Sequence, residues 1–560
     1  MAGIEKRVCA IVPKPHPDLL PRPPDLPRPI HYRCDASFQD LLSAQKDTRP
    51  VASGRIPLAS VGQFLGIPPE YLEPLKTRSK EWQKEVVAIA KRRKVQDPSL
   101  PWPADPSLED LKDSSPCLMG GVQSRTPGLS HPYFRTNLML LAEQFLKLRE
   151  NQWLQPMEPM DFEEWVERFP DHKRVLLRQA RVEAERDGLS SKDAVMAVFI
   201  KTETSTTATD PRNISPRQLK FLSVLGPFVA AIERAAKHCE YLVKGRNPED
   251  RGAHISQYWR GAVIETDFSR FDMTVSLDII RLVERRMFRK AFPAGTHSIL
   301  DELLPLLETL QGVSAMGVRY SVAGTRASGD AHTSIANGVV NRFVIWASLR
   351  NMNPTTWVSF HEGDDGIIHC DKAVKREICD NLSFASFLGF KLKVVEPLSH
   401  AHANFCGRST CEGCFREMCD LPRALAKFPT TFKQGELQSL ILAKALSYLA
   451  TDSHTPIISI MCRALVANLS PKVSARLLRR RFAEVGWYDR DRLRRGLAAK
   501  ETEILPCCRA HVAEVFGWCP ALQLAWEHQL AGWEFGVSEL PPVLVESYLT
   551  DTKGYTIHQG

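Results

Sequence analysis

Two runs that read as β-strands, "TTWVSFHE" (355–362) and "GIIHC" (366–370), are separated only by Gly363, Asp364 and Asp365. A connection this short predicts a hairpin, with Gly and Asp at its turn. It also sets two carboxylates side by side, where like charges repel and any burial is costly. Two explanations are open. Either the pair sits in water as an ordinary turn, or it grips a divalent cation. The chain has 560 residues, of which 43% are hydrophobic. That is enough for a large core in several domains or in one multi-lobed body.

An acidic cluster lies upstream in "AVIETDFSRFDMTVS" (262–276). A strand-like run ends at Asp267, and a polar turn then leads to Asp272 and a helix. Taken alone, Asp272 before a helix reads equally as a helix cap. Between the two clusters lies "GTRASGDAHTSIANGVVNRF" (324–343), a glycine-containing loop followed by a helix. Ser328 is on the loop; Thr333 and Asn337 are four apart and share a helix face. Polar groups so arranged suit recognition of a sugar hydroxyl. Further upstream, Lys201, Arg212, Arg217 and Lys220 punctuate the loop-like "FIKTETSTTATDPRNISPRQLK" (199–220). Such cations are either solvated or line a phosphate channel.

The other helical expectations are "MDFEEWVERF" (160–169), "SKDAVMAVF" (191–199) and 276–292. "GAVIETD" (261–267) and "GFKLKVVE" (389–396) read as strands, and the chain is mostly helical beyond about 420. The proline-dense stretch 12–29 reads as extended or polyproline-like, and 95–116 reads as a loop. The net charge of +8 favours a polyanionic partner. The fourteen cysteines are spread along the chain, which suits a reducing compartment. No apolar run reaches the roughly 20 residues that span a bilayer.

In this order, these pieces resemble the RNA-dependent RNA polymerases of positive-strand RNA viruses, in particular the tombusvirus- and nodavirus-like group. "DFSRFD", "GTRASGDAHTSIAN" and "GDD" resemble the first three palm motifs. "KTE…DPRNISPR" is similar to the basic finger motif, "FLGFKLKVVE" (387–396) to the fourth palm motif and "NFCGRS" (404–409) to the thumb-junction hairpin. "GGVQSRTPG" (120–128) is the candidate template-entry segment.

The resemblance implies an α+β right-hand polymerase with fingers, an antiparallel palm and a mostly helical thumb. Its parts would be an N-terminal extension (1–119), fingers (120–260 with part of 290–325), palm (261–419) and thumb (420–560). It implies RNA synthesis on an RNA template, with Asp267, Asp364 and Asp365 holding Mg²⁺, for which Mn²⁺ can substitute. Lys201, Arg212 and Arg217 would bind the triphosphate, and Asp272, Ser328, Thr333 and Asn337 would check the ribose. Lys391 or Lys393 would donate a proton to pyrophosphate. Partners would be template and product RNA, ribonucleoside triphosphates, and viral or host replication proteins that bring the chain to membranes in the host cytoplasm. A reverse transcriptase shares the palm, but its third motif differs from His361-Glu362-Gly363 before the aspartates. An inactive RNA-binding scaffold would not need the full acidic set. No capping methyltransferase, helicase or protease motif is present.

His400, His402, Cys406, Cys411, Cys414 and Cys419 crowd into "HAHANFCGRSTCEGCFREMC" (400–419). Cys406, Cys411, Cys414 and Cys419 are candidate ligands for tetrahedral zinc. The resemblance favours the other reading, a thumb-junction hairpin that needs no metal.

Overall fold

The computed structural model describes residues 132–201, 212–314, 319–428, 435–499 and 502–532. The proline-dense stretch, 95–116, the candidate template-entry segment and 202–211 lie outside these. The strands are β1 (Met196–Ile200), β2 (Asn213–Ile214), β3 (Gly261–Phe268), β4 (Thr309–Ser314), β5 (Arg319–Ala323), β6 (Trp357–Glu362), β7 (Asp365–Asp371), β8 (Leu392–Val395), β9 (Arg408–Thr410) and β10 (Glu417–Cys419). The longer helices are α1 (Pro132–Lys147), α2 (Asp171–Asp187), α3 (Leu219–Ala235), α4 (Pro248–Ser256), α5 (277–291), α6 (Thr333–Leu349), α7 (Leu437–Asp452), α8 (Ile458–Leu469), α9 (Ala475–Ala483), α10 (Trp487–Ala498), α11 (Pro506–Phe516) and α12 (Pro520–Ala531).

The hairpin expected around Gly363 forms the centre of the molecule. β6 and β7 pair with Glu362 opposite Asp365, so only Gly363 and Asp364 make the turn. Gly363 has φ 63°, which a side chain would resist and a tight hairpin requires. The sheet continues through β3 to β8, in the order β6-β7-β3-β8, with every pair antiparallel. Alternation along its strands buries both faces. Ala262, Ile264, Ile368 and Cys370 pack with Ile345 and Leu349 of α6 and with Ile378 and Leu382. Val263, Phe360 and Ile367 pack with Ile255, Ala403 and Phe405 on the other side.

Helix α6 is buried along most of its length, because further helices cover the sides that the sheet leaves free. Its Phe343 meets Phe145 of α1 edge-on, with ring centroids 5.4 Å apart, inside the largest apolar cluster. Fully burying a side chain of this size contributes roughly 1.5–3 kcal/mol.

A second sheet has the order β2-β1-β4-β5, with β1 and β4 parallel. "SKDAVMAVF" therefore is not helical: a turn leads into strand β1, which pairs with β4 more than a hundred residues along the chain. The helix expected over 276–292 is present as α5, but it contains a π-helical turn at Ile280–Glu284. Beyond the β9–β10 hairpin the described residues are helical, with a separate core formed by Leu442, Leu446, Met461, Leu465 and Val512 among others. Among the described residues no helix is long and apolar enough to cross a membrane.

Several histidines are built in as neutral groups. Burial lowers His369 to about 3, helped by His400, and lowers His332 and His511 to about 4. An unfolded chain would take up these protons near the ordinary value of about 6.5. The stabilisation is thus complete above that pH and is lost as pH falls toward the folded values. Equilibrium denaturation should accordingly give a midpoint that is flat between about pH 7 and 8 and declines steadily below about 6.5.

Candidate active site

Register places the acidic residues. Thr266 of β3 faces Gly366 of β7, so one step further Asp267 comes level with Asp365. Asp365 is opposite Glu362 on β6, and Asp267 is opposite Lys393 on β8. Opposed residues project from the same face of a sheet. Glu362, Asp365, Asp267 and Lys393 thus form one row across four strands, with Asp364 at the turn beside it. Lys391 lies two residues from Lys393, where its carbonyl accepts the Ser269 N–H at 2.9 Å.

The row is electrostatically strained. Crowding by the surrounding protein, then Asp364, and more weakly Glu362 and Asp267, push the Asp365 carboxyl up to about 6 against a hydrogen bond from Cys406. Among the described residues Asp267, Asp364 and Asp365 form no ion pair, and all three are exposed. Oxygen-only, negatively charged and open to solvent, this donor set fits a hard divalent cation.

Neighbouring groups hold the frame. The Asn341 amide donates to the carbonyls of Gly363, Asp364 and Asp365 at 3.2, 3.0 and 3.2 Å. Gly366 is needed because a Cβ there would lie 2.3 Å from Thr266 Oγ1. Arg251 donates to Glu362 at 2.5 Å and, through two nitrogens, to Glu417 of β10 at 2.8 and 2.7 Å. Arg342 donates to Ser359 Oγ at 2.6 Å and grips Glu150 with two nitrogens.

The remaining motifs are stitched to this end of the sheet by backbone bonds. Arg326 N–H donates to the Asp272 carbonyl at 2.6 Å, and Thr325 N–H to the Val275 carbonyl at 2.7 Å. Ser215 N–H donates to the Ser328 carbonyl at 2.8 Å, which ties the basic segment to the glycine-containing loop. The Asn337 amide donates to Asp272 Oδ1 at 2.8 Å and accepts from Arg326 Nε at 2.9 Å. Arg326 in turn pairs with the buried Glu284, which the π-helical turn of α5 presents. Burial above all, and the Asp364 charge, raise the Asp272 carboxyl, while Asn337, Arg326 and Arg212 oppose the rise. The Thr333 hydroxyl donates to the Ala327 carbonyl at 2.7 Å, and so fastens its own loop rather than Asp272.

Arg212 is exposed and lies within electrostatic reach of Asp272; Lys201 is exposed, and its N–H donates to the Arg212 carbonyl at 2.8 Å. Arg217 departs from expectation. Its guanidinium is buried, donates to Asp330 at 2.6 Å and also to the carbonyls of Ala194 and Leu306. It fixes the fold and is not presented to a ligand. The candidate zinc set is also divided: Cys411 and Cys414 stay together, Cys406 lies beside Glu362 and Asp365, and Cys419 is buried near Asp452.

The sequence reading missed Asn341, Arg326, Glu284, Arg251 and Glu417. For Asn341 a signal existed, since it continues the four-residue spacing of Thr333 and Asn337.

Two substitutions test this arrangement. Asn341→Leu keeps the volume but removes the donor, and should weaken divalent-cation binding at the carboxylate row by roughly ten-fold in calorimetric titration. Arg217→Ala strands Asp330 in the interior and should cost about 3–5 kcal/mol of stability, read from the denaturant midpoint.

Comparison with known proteins gives this geometry a family. A family model described as viral RNA dependent RNA polymerase matches residues 147–537. Proteins named RNA-directed RNA polymerase are similar to the chain. That of Oat chlorotic stunt virus is 27% identical over 489 residues, covering 80% of this chain and 62% of the relative. That of Greasy grouper nervous necrosis virus is 28% identical, covering 53% and 31%. That of Pariacoto virus is 24% identical, covering 48% and 29%. The chain thus matches less than two thirds of the length of each of these curated relatives. The match to the family model runs through both sheets and the helical region beyond them, and the chain belongs to the viral RNA-dependent RNA polymerases.

Proposed function

We propose that the chain synthesises RNA on an RNA template by nucleotidyl transfer, with the sheet end that carries Asp267, Asp364 and Asp365 as its catalytic centre. The observation that carries this reading is the carboxylate row beside the Asp272–Asn337 pair. In this reading 261–419 is the palm, 120–260 with part of 290–325 the fingers, and 420–560 the thumb.

Asp267, Asp364 and Asp365 would hold magnesium, with manganese able to replace it. Bound there, the metal would supply the positive charge that activates a primer 3′-hydroxyl and stabilises the departing pyrophosphate. Asn341 and Gly363 keep the two turn carboxylates in place, so that little reorganisation is needed when substrates arrive. Asp272 and Asn337 form a paired acceptor and donor, the combination that meets a ribose 2′-hydroxyl and finds no partner on deoxyribose. Ser328 and Thr333 would shape the same subsite through the loop that they anchor. Arg212 and Lys201 would meet the triphosphate. Lys393, level with Asp267, is better placed than Lys391 to donate a proton to pyrophosphate.

Base identity would come from pairing with the template, so the protein would bind RNA mainly through phosphate. Recruitment to membrane-associated replication sites would fall to partner proteins.

Primer extension on a short RNA template tests the assignment. Asp364→Ala should abolish incorporation in Mg²⁺ while RNA binding by filter retention persists; synthesis at the wild-type rate would remove the metal role. Asn337→Ala should raise deoxynucleotide relative to ribonucleotide incorporation by roughly ten-fold, the worth of one hydrogen bond to a charged group. Unaltered discrimination would take Asn337 out of the ribose subsite.

A further inference from the structure

Four thiols from two distant segments meet on the far side of the β9–β10 hairpin. Cys411 and Cys414 form a C-x-x-C at the hairpin's tip, and Cys507 and Cys508 lie in the first turn of α11. Their sulfurs all lie within 4.8 Å of one another, and Cys414 Sγ is 3.7 Å from Cys508 Sγ. Four sulfurs placed about 2.3 Å from a central zinc define a tetrahedron with edges of about 3.8 Å. Cys411 and Cys508 are buried, Cys414 and Cys507 half-buried. All four are free cysteines, and among the described residues this is the one cluster of potential metal ligands with such mutual spacing.

The backbone around the cluster is arranged to approach it. Phe415 adopts a left-handed φ of 57°, and its N–H donates to the Cys411 carbonyl at 2.7 Å. Cys411 N–H donates to the Arg416 carbonyl at 2.9 Å, which closes the loop into a knuckle. Gly413 presses against the helix so closely that a Cβ there would lie 2.5 Å from Cys507 Cβ. The N–H groups of Gly413 and Cys414 are directed at the Cys411 sulfur, and that of Arg416 at the Cys414 sulfur. Packing of small apolar groups requires none of these donors; a cluster of thiolates does.

We propose that Cys411, Cys414, Cys507 and Cys508 bind one zinc ion in tetrahedral thiolate coordination, stapling α11 to the β9–β10 hairpin. The site is closed by protein on several sides and has four protein ligands, the form of a structural rather than a catalytic zinc. Its position gives it a task. The hairpin carries Glu417, which Arg251 joins to Glu362 in the carboxylate row. It also carries Ser409, whose hydroxyl is 2.8 Å from His511 Nε2 of α11. Zinc would hold the strand that anchors this relay against the C-terminal helices. The proposal does not depend on the polymerase reading, because its primary readout is metal content.

The test is elemental analysis of the full chain purified without added zinc. About one zinc per chain is expected, falling to background in Cys411→Ser and in Cys508→Ser. Cys406→Ser and Cys519→Ser should retain it. If the serine variants fail to fold, the wild-type chain still decides: complete titration with an organic mercurial should release about one zinc per chain. Cobalt-substituted protein should show the visible absorption of tetrahedral thiolate coordination. Wild-type chain without stoichiometric zinc, or with these cysteines recovered as disulfides, overturns the proposal. So does zinc that survives Cys411→Ser and Cys508→Ser but is lost in Cys406→Ser.

Discussion

The structure is organised around a repulsion. Glu362, Asp365 and Asp267 stand level on three adjacent strands with Asp364 at the neighbouring turn, and the negative neighbours reinforce the crowding by surrounding protein that keeps Asp365 reluctant to ionise. Side chains left to themselves would turn apart. The sheet prevents this, because antiparallel register fixes each Cβ and a slip of one residue would turn every side chain to the other face. The two-residue turn removes slack, and Asn341 binds three successive carbonyls of it. Backbone geometry thus keeps like charges on one edge of the sheet, with Lys393 opposite Asp267 as the one basic member of the row.

The same economy governs the surrounding loops. The segment over 324–330 is joined to Asp272 and Val275 on one side and to Ser215 on the other by main-chain hydrogen bonds. Their donors and acceptors do not depend on side-chain identity, so this frame holds the loop in place whatever side chains it carries. Behind them, buried pairs such as Arg217–Asp330 and Arg326–Glu284 act as fixed struts. Their desolvation is costly, and losing one partner is costlier still.

The central sheet was legible in the sequence because β3, β6, β7 and β8 are short apolar runs rich in β-branched residues, and the turn glycine and aspartates separate two of them. The acidic residues could be read because each falls at a strand end or turn. "SKDAVMAVF" misled because its apolar residues suit either period, and only the non-local pairing with β4 decides. β4 and β5 passed unnoticed, since "TLQGVS" and "RYSVA" carry weak patterns. Arg217 read as a phosphate ligand because its partner Asp330 lies 113 residues further on. The cysteines show the same limit. Proximity in sequence grouped Cys406 and Cys419 with Cys411 and Cys414, whereas the fold supplies Cys507 and Cys508 from beyond the intervening helices.

The Arg251 guanidinium has a mechanical consequence. It holds Glu417 with two nitrogens and Glu362 with the third, so the β9–β10 hairpin and the acidic turn share one rigid coupling. Any swing of the C-terminal helices about the sheet must either pivot beyond β10 or pull directly on Glu362. A displacement of the C-terminal helices that leaves the acidic turn undisturbed must therefore keep this one planar cation in register with both carboxylates.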